Sequence, residues 1–480
     1  MDVRTRMECE NKRSMVLKLT ITKCHQLRKY LTVEPFIFCY FLGYSVFFSA
    51  SFPAFYNKVC METLKSAYKC SQLDRDLSEQ NTVQTVTTNW LMYMQIARFL
   101  PTLVGSMFFG SYGDCYGRKV PLLIAEASFV LYMAFYLVLV TLQRCPVYSL
   151  IIVSTIYSMT GHHVTFLTAI FSEIADHTED KRQLTARYTV LTAFWTLSGL
   201  IGGYVSSGLL MVLTYQYVMV IGISVVALTF ICSVLSYPNQ DRKSYMKSEA
   251  RCGEFFKSGM SLYVLAVKTA LKKRPSNGRL YLALICIISI VYASEDSGMD
   301  NLASLFAFHS PLSWDAHLLA TWGATNSAAA LVGSLIAAYI NEKLRLHSLT
   351  SVMIGLASES LRMAMIAGSV HTWMMFLVPV LGCASTFGFS AIKAYVVQLG
   401  SAQESGELLA CITSFMNLFT LYSAIVYNNM YVATLSIYHG FVFAFASVTV
   451  FFCLLIVWGM KLVQDRNLRN STSHSITPST

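Results

Sequence analysis

Apolar runs of about twenty residues recur along this chain from near residue 34 to residue 460, with short polar segments between them. A run of that length crosses the hydrocarbon core of a bilayer as a helix, and a helix satisfies its own backbone hydrogen bonds in lipid. The composition agrees: 55% of the residues are hydrophobic and 13% are charged, about half the charged fraction of an ordinary soluble domain. The sequence therefore predicts an all-α polytopic membrane protein.

A long polar segment divides these runs into two groups of six. The predicted spans are about 34–56, 89–110, 120–142, 147–170, 185–212 and 217–236, then 280–307, 316–340, 348–368, 374–396, 407–428 and 438–460. The predicted domains are an N-terminal tail (1–33), a six-helix lobe (34–236), a linker (237–279), a second six-helix lobe (280–460) and a C-terminal tail (461–480). Two such lobes are what a transporter built from repeats around a midplane site requires.

The distribution of basic residues predicts the orientation of the chain in the membrane. The N-terminal tail carries eight lysines and arginines and the linker region ten, whereas all the loops on the opposite side carry five together. Cytoplasmic loops are enriched in lysine and arginine. We therefore expect both termini and the linker in the cytoplasm, and the loop over residues 57–88 outside.

The segment Gly110-Ser-Tyr-Gly-Asp-Cys-Tyr-Gly-Arg-Lys119 lies between the second and third spans and reads G-x-x-x-D-x-x-G-R-K. It resembles the signature loop between helices 2 and 3 of major facilitator transporters; the alternative is an ordinary basic turn. The resemblance implies the major facilitator fold and gating roles for Gly110, Asp114, Gly117, Arg118 and Lys119. We expect Asp114, supported by Arg118, to meet the positive end of helix 11 and to latch the cytoplasmic side shut in the outward-facing state.

In the major facilitator arrangement, helices 1, 4, 7 and 10 line a central cavity, and helices 3, 6, 9 and 12 are peripheral. Ionisable residues inside a membrane are costly and are candidates for function. The predicted substrate- and proton-binding residues are therefore those on cavity helices, namely His162 and His163 on helix 4, Glu295 and Asp296 on helix 7, and Lys393 on helix 10.

Each of these assignments has a structural alternative. A histidine can bond to a neighbouring helix, and Lys393 can extend to the nearby membrane surface. Adjacent histidines on a helix point about 100° apart, so only one of the pair is expected to face the cavity. Glu359 and Arg362 on helix 9 are three residues apart, and we expect them to form a structural ion pair.

Several further segments resemble solute carrier family 46, the proton-coupled folate transporter family. These segments are Val33-Glu-Pro35, Ser310-Pro-Leu-Ser-Trp-Asp315, Glu404-Ser-Gly-Glu-Leu-Leu-Ala-Cys411 and Tyr431-Val-Ala-Thr434. The resemblance implies a secondary active transporter that works by alternating access, with proton-coupled symport of folate or another organic anion as the family activity. It also places Glu404 at the entrance to helix 11, among the gating residues.

Carried over residue by residue, Lys393 stands where the folate transporter has an arginine, so the positive charge is kept. Thr192 stands where the family has a carboxylate linked to proton coupling, so coupling here would need His162, Glu295 or Asp296. Ser313 replaces a family cysteine. A disulfide from that loop is therefore not possible, which favours pairing of Cys60 with Cys70 in the first outer loop; two free thiols are the alternative.

Other functional classes have less support. The two histidines have no companion at H-E-x-x-H spacing, and there is no G-x-S-x-G motif, so neither an enzyme, a metal site nor a cofactor is expected. A transporter-like receptor or assembly protein without flux is the alternative function. The expected partners are a small-molecule substrate (an organic anion in the leading hypothesis), protons and the lipid bilayer, but no nucleic acid. The plasma membrane and the lysosomal membrane both remain open.

Overall fold

The computed structural model describes residues 33–176, 181–236, 278–344, 346–399 and 405–474. Within these ranges the secondary structure is helical, without strands. The long helices are α1 (Glu34–Leu64), α2 (Leu77–Tyr116), α3 (Lys119–Thr141), α4a (Tyr148–Ser158), α4b (His162–Asp176), α5 (Lys181–Val212), α6 (Tyr215–Ser236), α7 (Gly278–Phe308), α8 (Ala316–Leu344), α9 (Ser348–Ala367), α10a (Thr372–Leu381), α10b (Ser385–Leu399), α11 (Ser405–Thr434) and α12 (Phe441–His474).

Counted with α4 and α10 as one helix each, the described part of the chain has six long helices before the linker and six after it. We call α1–α6 the N-lobe and α7–α12 the C-lobe. Nine helical segments of the described residues are long and apolar enough to cross a membrane. The three long helices not among them are α2, α8 and α11. The multi-pass helical architecture is thus present, and the count of twelve spans stays a prediction.

The α2 helix illustrates how local sequence sets helix ends. Its N-cap is Asp76, whose carboxylate accepts hydrogen bonds from the backbone N–H groups of Ser78 and Glu79. At the other end, Gly117 takes a φ of 98°, which only glycine adopts without strain, and its N–H bonds to the carbonyl of Gly113. The chain can therefore turn sharply from α2 into α3 within the signature loop.

Two segments are more helical than we expected from the sequence. The loop predicted over residues 57–88 is largely helical, because α1 continues to Leu64, a short helix covers Ala67–Ser71, and α2 begins at Leu77. The last helix continues to His474, beyond the end of the apolar run at residue 460. Hydropathy locates the part of a helix inside the membrane and gives no signal for a polar extension of the same helix.

Each lobe is packed through aromatic side chains and close glycine contacts. In the N-lobe, Tyr40 stacks on Phe166 with ring centroids 3.9 Å apart, and Gly43 meets Gly222 so closely that a Cβ at Gly43 would lie 2.9 Å from the Gly222 carbonyl oxygen. In the C-lobe, a Cβ on Gly355 would lie 2.2 Å from the Cα of Gly388, which brings α9 against α10b. Small residues of this kind let membrane helices approach closely.

The lobes meet mainly through α5 with α8 and α2 with α11. We call the end of the bundle that carries residues 60–70 the disulfide end, and the opposite end the signature-loop end. Where both partners belong to the described part of the chain, the hydrogen bonds observed between the lobes lie in the half nearest the disulfide end. The lobes are therefore joined at the disulfide end in this conformation.

Candidate functional site

A cavity of about 470 Å³ lies between the two lobes. Its N-lobe wall is formed by α1 through Phe48, Ser49 and Phe52, and its C-lobe wall by α7, α8, α9 and α10. Three of the four expected cavity helices, α1, α7 and α10, contribute, whereas no described residue of helix 4 lines the cavity. The α9 helix, which we expected to be peripheral, contributes Arg362.

The break in α10 explains how a residue of α9 reaches this cavity. The helix ends at Leu381 and resumes at Ser385, and Pro379 lies in its last turn. A Cβ on Gly382 would lie 2.4 Å from Cδ of Arg362, so the arginine side chain passes directly over this glycine. The absence of a side chain at Gly382 therefore makes room for Arg362 beside the cavity.

Arg362 is held by Glu359 from its own helix. The arginine Nε donates to both carboxylate oxygens of Glu359 at 3.1 and 3.0 Å, and Nη2 donates to Oε1 at 2.6 Å. The side chain of Glu359 is 3% exposed and that of Arg362 14% exposed. The predicted ion pair is thus present, and it fixes a cation in the cavity wall as well as joining two positions on α9.

The carboxylates of α7 face different sides of that helix. Asp300 lines the cavity, whereas Glu295 is buried against α12, where Thr449 donates to its Oε1 at 2.7 Å. Five residues on a helix correspond to about 140° of rotation, so these two residues point apart. Glu295 therefore does not line the cavity in this conformation, and its role in binding stays a prediction. The side chain of Asp296 lies outside the described part of the structure.

Lys393 does not line this cavity. Its ammonium lies 4.3 Å from the centre of the Phe389 ring, one turn earlier on α10b. Seven residues separate it from Thr386 on the cavity wall, which is about 10 Å along a helix axis. The cation beside the cavity is Arg362, in place of the expected Lys393.

His162 and His163 lie at a break in helix 4. The chain leaves the helical conformation at Gly161, with a φ of 84°, and at His162, with a φ of 56°. The two imidazoles contact each other through their Nδ1 atoms, and His162 also packs on Tyr157 with ring centroids 4.6 Å apart. The expectation that the rings diverge assumed a continuous helix and was wrong for that reason. Neither histidine lines the cavity.

In the signature loop, Arg118 connects α3 to α4b within the N-lobe. Its Nε donates to Asp176 at 3.1 Å, and a Cβ on Gly113 would lie 3.1 Å from its Nη1. A Cβ on Gly110 would lie 4.0 Å from Cγ2 of Thr168 on α4b, an ordinary contact distance. The side chain of Asp114 and the whole of Glu404 lie outside the described part of the structure. The latch to helix 11 and the role of Lys119 remain predictions.

At the disulfide end, α2 contacts the end of α7 through two buried glutamines. Gln80 donates to the carbonyl of Phe308 at 3.1 Å, and Gln84 donates to the carbonyl of Leu305 at 2.9 Å. The last carbonyls of a helix have no partner within the helix. The carbonyl of Leu305 accepts from the N–H of His309, and the other lobe adds a second donor there and a donor to the carbonyl of Phe308. Tyr431 of α11 donates to Gln84 at 2.8 Å, which adds a third helix to the contact.

Two histidines extend this contact into the loops of the C-lobe. Nε2 of His309 lies 2.8 Å from the amide oxygen of Asn81 on α2. The His309 ring stacks on His439, with centroids 4.8 Å apart and planes 25° apart. Nearby, Cys60 and Cys70 are joined by a disulfide that connects α1 to the short helix before α2. We call Asn81, His309 and His439 the histidine gate.

Comparison with known proteins agrees with this geometry. The sequence model of the Major Facilitator Superfamily matches residues 35–424, which is most of the chain. The chain belongs to the major facilitator superfamily. The fold class and the non-enzymatic transporter function predicted from the sequence are confirmed by this match and by the relatives.

The curated relatives of this major facilitator protein include members of solute carrier family 46. One is the human lysosomal proton-coupled steroid conjugate and bile acid symporter SLC46A3, 26% identical over 429 residues that cover 86% of this chain and 91% of the relative. Another is the proton-coupled folate transporter of Bos taurus, 24% identical over 365 residues that cover 76% of this chain and 77% of the relative. The predicted resemblance to this family is therefore confirmed.

Solved structures show the same fold at low sequence identity. A point mutant of the nucleoside transporter NupG superposes with a TM-score of 0.61 at 15% identity, covering 89% of this chain and 99% of that chain. The human organic anion transporter MFSD10 superposes with a TM-score of 0.58 at 14% identity, covering 88% and 99% of the two chains.

The cavity residue that sequence reasoning missed is Arg362, which lies on α9 beside the interrupted helix α10. Pro379 and Gly382 within one apolar run were visible signals of a broken helix 10. Such a break opens a path from helix 9 to the cavity, and with it Arg362 becomes a candidate. Asp300 belongs to the same apolar run as Glu295 and Asp296, but only those two were predicted from the sequence as binding residues.

Proposed function

We propose that this protein is a secondary active transporter that moves a small organic anion through the cavity between its lobes by alternating access, coupled to protons. The observation that carries this proposal is the cavity itself, which has walls from both lobes and holds Arg362 and Asp300. A site shared by two lobes changes its access when the lobes rock against each other.

The contacts at the disulfide end support the alternating-access part of the proposal. Gln80, Gln84 and the histidine gate join the lobes there through side chains and carbonyl groups that water can replace. With the disulfide end outside, as the distribution of basic residues predicts, this conformation is closed to the outside and corresponds to the inward-facing half of the cycle. The N- and C-termini are then cytoplasmic.

The relatives support an anionic substrate and coupling to protons. Their names describe symport of steroid conjugates and bile acids, and proton-coupled transport of folate. Steroid conjugates, bile acids and folate share an apolar body with an anionic group. A cavity that combines Phe48, Phe52 and Trp322 with one arginine suits that chemistry. We place the protein in the lysosomal or the plasma membrane, as in that family.

The test is uptake into proteoliposomes that contain the purified protein. Estrone sulfate, taurocholate and folate, each radiolabelled, are offered at outside pH 5.5 and 7.5 with the inside at pH 7.5. We expect at least one of these compounds to accumulate, and to do so faster at outside pH 5.5 than at 7.5. The difference in rate should disappear when an ionophore collapses the pH gradient. Protein-free liposomes are the control. Uptake of none of the three would contradict the substrate class and favour a receptor, and uptake insensitive to pH would contradict proton coupling.

A further inference from the structure

Arg362 and Asp300 make the central cavity a site for one negative charge and one proton. Among the described residues that line it, Arg362 is the only cation and Asp300 the only carboxylate. A guanidinium has five N–H donors arranged in a fork, so one edge can be held by a carboxylate while another receives an anion. Glu359 holds the edge formed by Nε and Nη2, which fixes the orientation of the group.

The break in α10 adds polar groups beside this arginine. Ser385 and Thr386, the first residues of the fifteen-residue α10b, both line the cavity. The N-terminal end of a helix carries a partial positive charge and backbone N–H groups without helical partners. Broken helices in transporters present such ends to anionic substrate groups. Here the helix end and the arginine lie on the same cavity wall.

The charges of the described residues favour binding of a proton together with an anion. Among these residues, Arg362 and Glu359 together are neutral, and Asp300 adds one negative charge on the cavity wall. A second negative charge brought in by a substrate would be repelled unless a proton neutralises a carboxylate. The charged and titratable groups that act on Asp300 are Arg362 and Glu359 of α9 and Tyr44 of α1, and Asp300 is the carboxylate exposed to the cavity.

We propose that the anionic group of the substrate binds to Arg362 at the break in α10, and that it binds together with a proton on Asp300. This inference rests on the proposed function, and it assigns the charge-recognising residues within that function. Each anion that enters then brings one proton, without a carboxylate at Thr192.

The experiment compares an anionic probe with its neutral counterpart. Binding of radiolabelled estrone sulfate and of estrone to the purified protein is measured at pH 5.5 and 7.5 by scintillation proximity. In the wild type we expect tighter binding of estrone sulfate at pH 5.5 than at pH 7.5. Arg362→Gln should weaken binding of the sulfate about tenfold to a hundredfold at both pH values, with a smaller effect on estrone. Lys393→Gln is the matched control, and its binding should stay at the wild-type value.

Two further variants separate recognition from folding. Removing Arg362 alone leaves the buried Glu359 without its partner, so the double variant R362Q/E359Q removes both charges and keeps the shape of the pair. It should have wild-type thermal stability and still lose binding of estrone sulfate. Asp300→Asn should bind the sulfate at pH 7.5 as tightly as the wild type does at pH 5.5.

The outcomes distinguish this inference from the proposed function. If the wild type binds and transports estrone sulfate and Arg362→Gln binds it with the same affinity, the anion site is overturned and the transporter proposal stays intact. An Asp300→Asn variant with the full wild-type pH dependence would overturn the proton site alone. A wild type that neither binds nor transports estrone sulfate would overturn both for this class of substrate.

Discussion

Gly382 shows how one residue without a side chain sets the chemistry of a cavity. Arg362 belongs to a helix that lies behind α10, and it reaches the cavity because nothing at position 382 stands in its way. The backbone of Gly382 has φ −85° and ψ −1°, which other residues also adopt. The need for glycine here is therefore a matter of space and not of backbone conformation.

We expect Gly382→Ala to push Arg362 away from the cavity wall. The added methyl group would lie 2.4 Å from Cδ and 3.1 Å from Cγ of the arginine, so the side chain must change its path. Affinity for estrone sulfate should fall about tenfold, or about 1.4 kcal/mol. The measurement is the binding assay described above. Gly459→Ala on α12, where nothing lies within 4 Å of the added Cβ, is the control; equal affinities in the two variants would contradict the role of Gly382.

At the scale of single residues, the sequence predicted which helix carries each charged residue, but not which face of that helix the residue occupies. Glu295 and Asp300 are on one helix, and the residue preferred from the sequence faces α12 while the other faces the cavity. The orientation of a helix around its own axis depends on its neighbours. The positions of the Arg362 side chain and of the two histidine rings also depend on helix breaks at residues 382 and 161. A helical wheel assumes a continuous helix and therefore cannot predict them.

At the scale of elements, the end of α7 is bonded both by its own loop and by the other lobe. The N–H of His309 bonds to the carbonyl of Leu305, and Gln84 and Gln80 of α2 donate to the carbonyls of Leu305 and Phe308. The sequence predicted α2 and α7 from their long apolar runs. It did not predict this contact, because Gln80 and Gln84 fell within the loop predicted over residues 57–88.

The histidine gate makes this contact sensitive to pH. Burial lowers the pKa of His309, and burial together with the charge of His309 lowers the pKa of His439 to about 4. Hydrated histidines have a pKa of about 6.5, so an open gate binds protons more readily than a closed one. The closed gate keeps its full stability above about pH 6.5 and loses it as the pH falls towards 4.

We therefore expect acid to open the disulfide end. Dyes carried by unnatural amino acids at positions 212 and 437 report the separation of the lobes, because Val212 and Ile437 are 84% and 85% exposed and belong to different lobes. The fraction of molecules with a long distance should rise between pH 7.5 and pH 5.0 in the wild type and change less in H309Q/H439Q. If the double variant kept the whole response, the two histidines would not be its source.

At the scale of the whole molecule, the two lobes are held together by close packing of α5 against α8. Gly199 faces Ser327, and Gly203 faces Ala324, where a Cβ would lie 2.7 Å from the Ala324 Cβ and 3.0 Å from its Cα. One turn nearer the disulfide end, Ser207 bonds to Thr321 at 2.6 Å and to the carbonyl of His317 at 3.0 Å. The sequence contains these small residues, but it does not indicate in which conformation they meet. The same chain adopts both the outward-facing and the inward-facing conformation of a transport cycle.

We expect Gly203→Leu to keep the lobes apart at the disulfide end. The obstacle at this position is the backbone and Cβ of Ala324, which cannot rotate away, and overpacking of this kind costs about 1–3 kcal/mol. That cost shifts the balance between closed and open conformations about 5- to 150-fold. The 212–437 distance should lengthen at pH 7.5, and uptake should fall because fewer molecules reach the closed state. Gly208→Leu, with nothing within 4 Å of its added Cβ, should keep the wild-type distance and uptake; a Gly203→Leu protein with the wild-type distance would mean that this contact does not hold the lobes together.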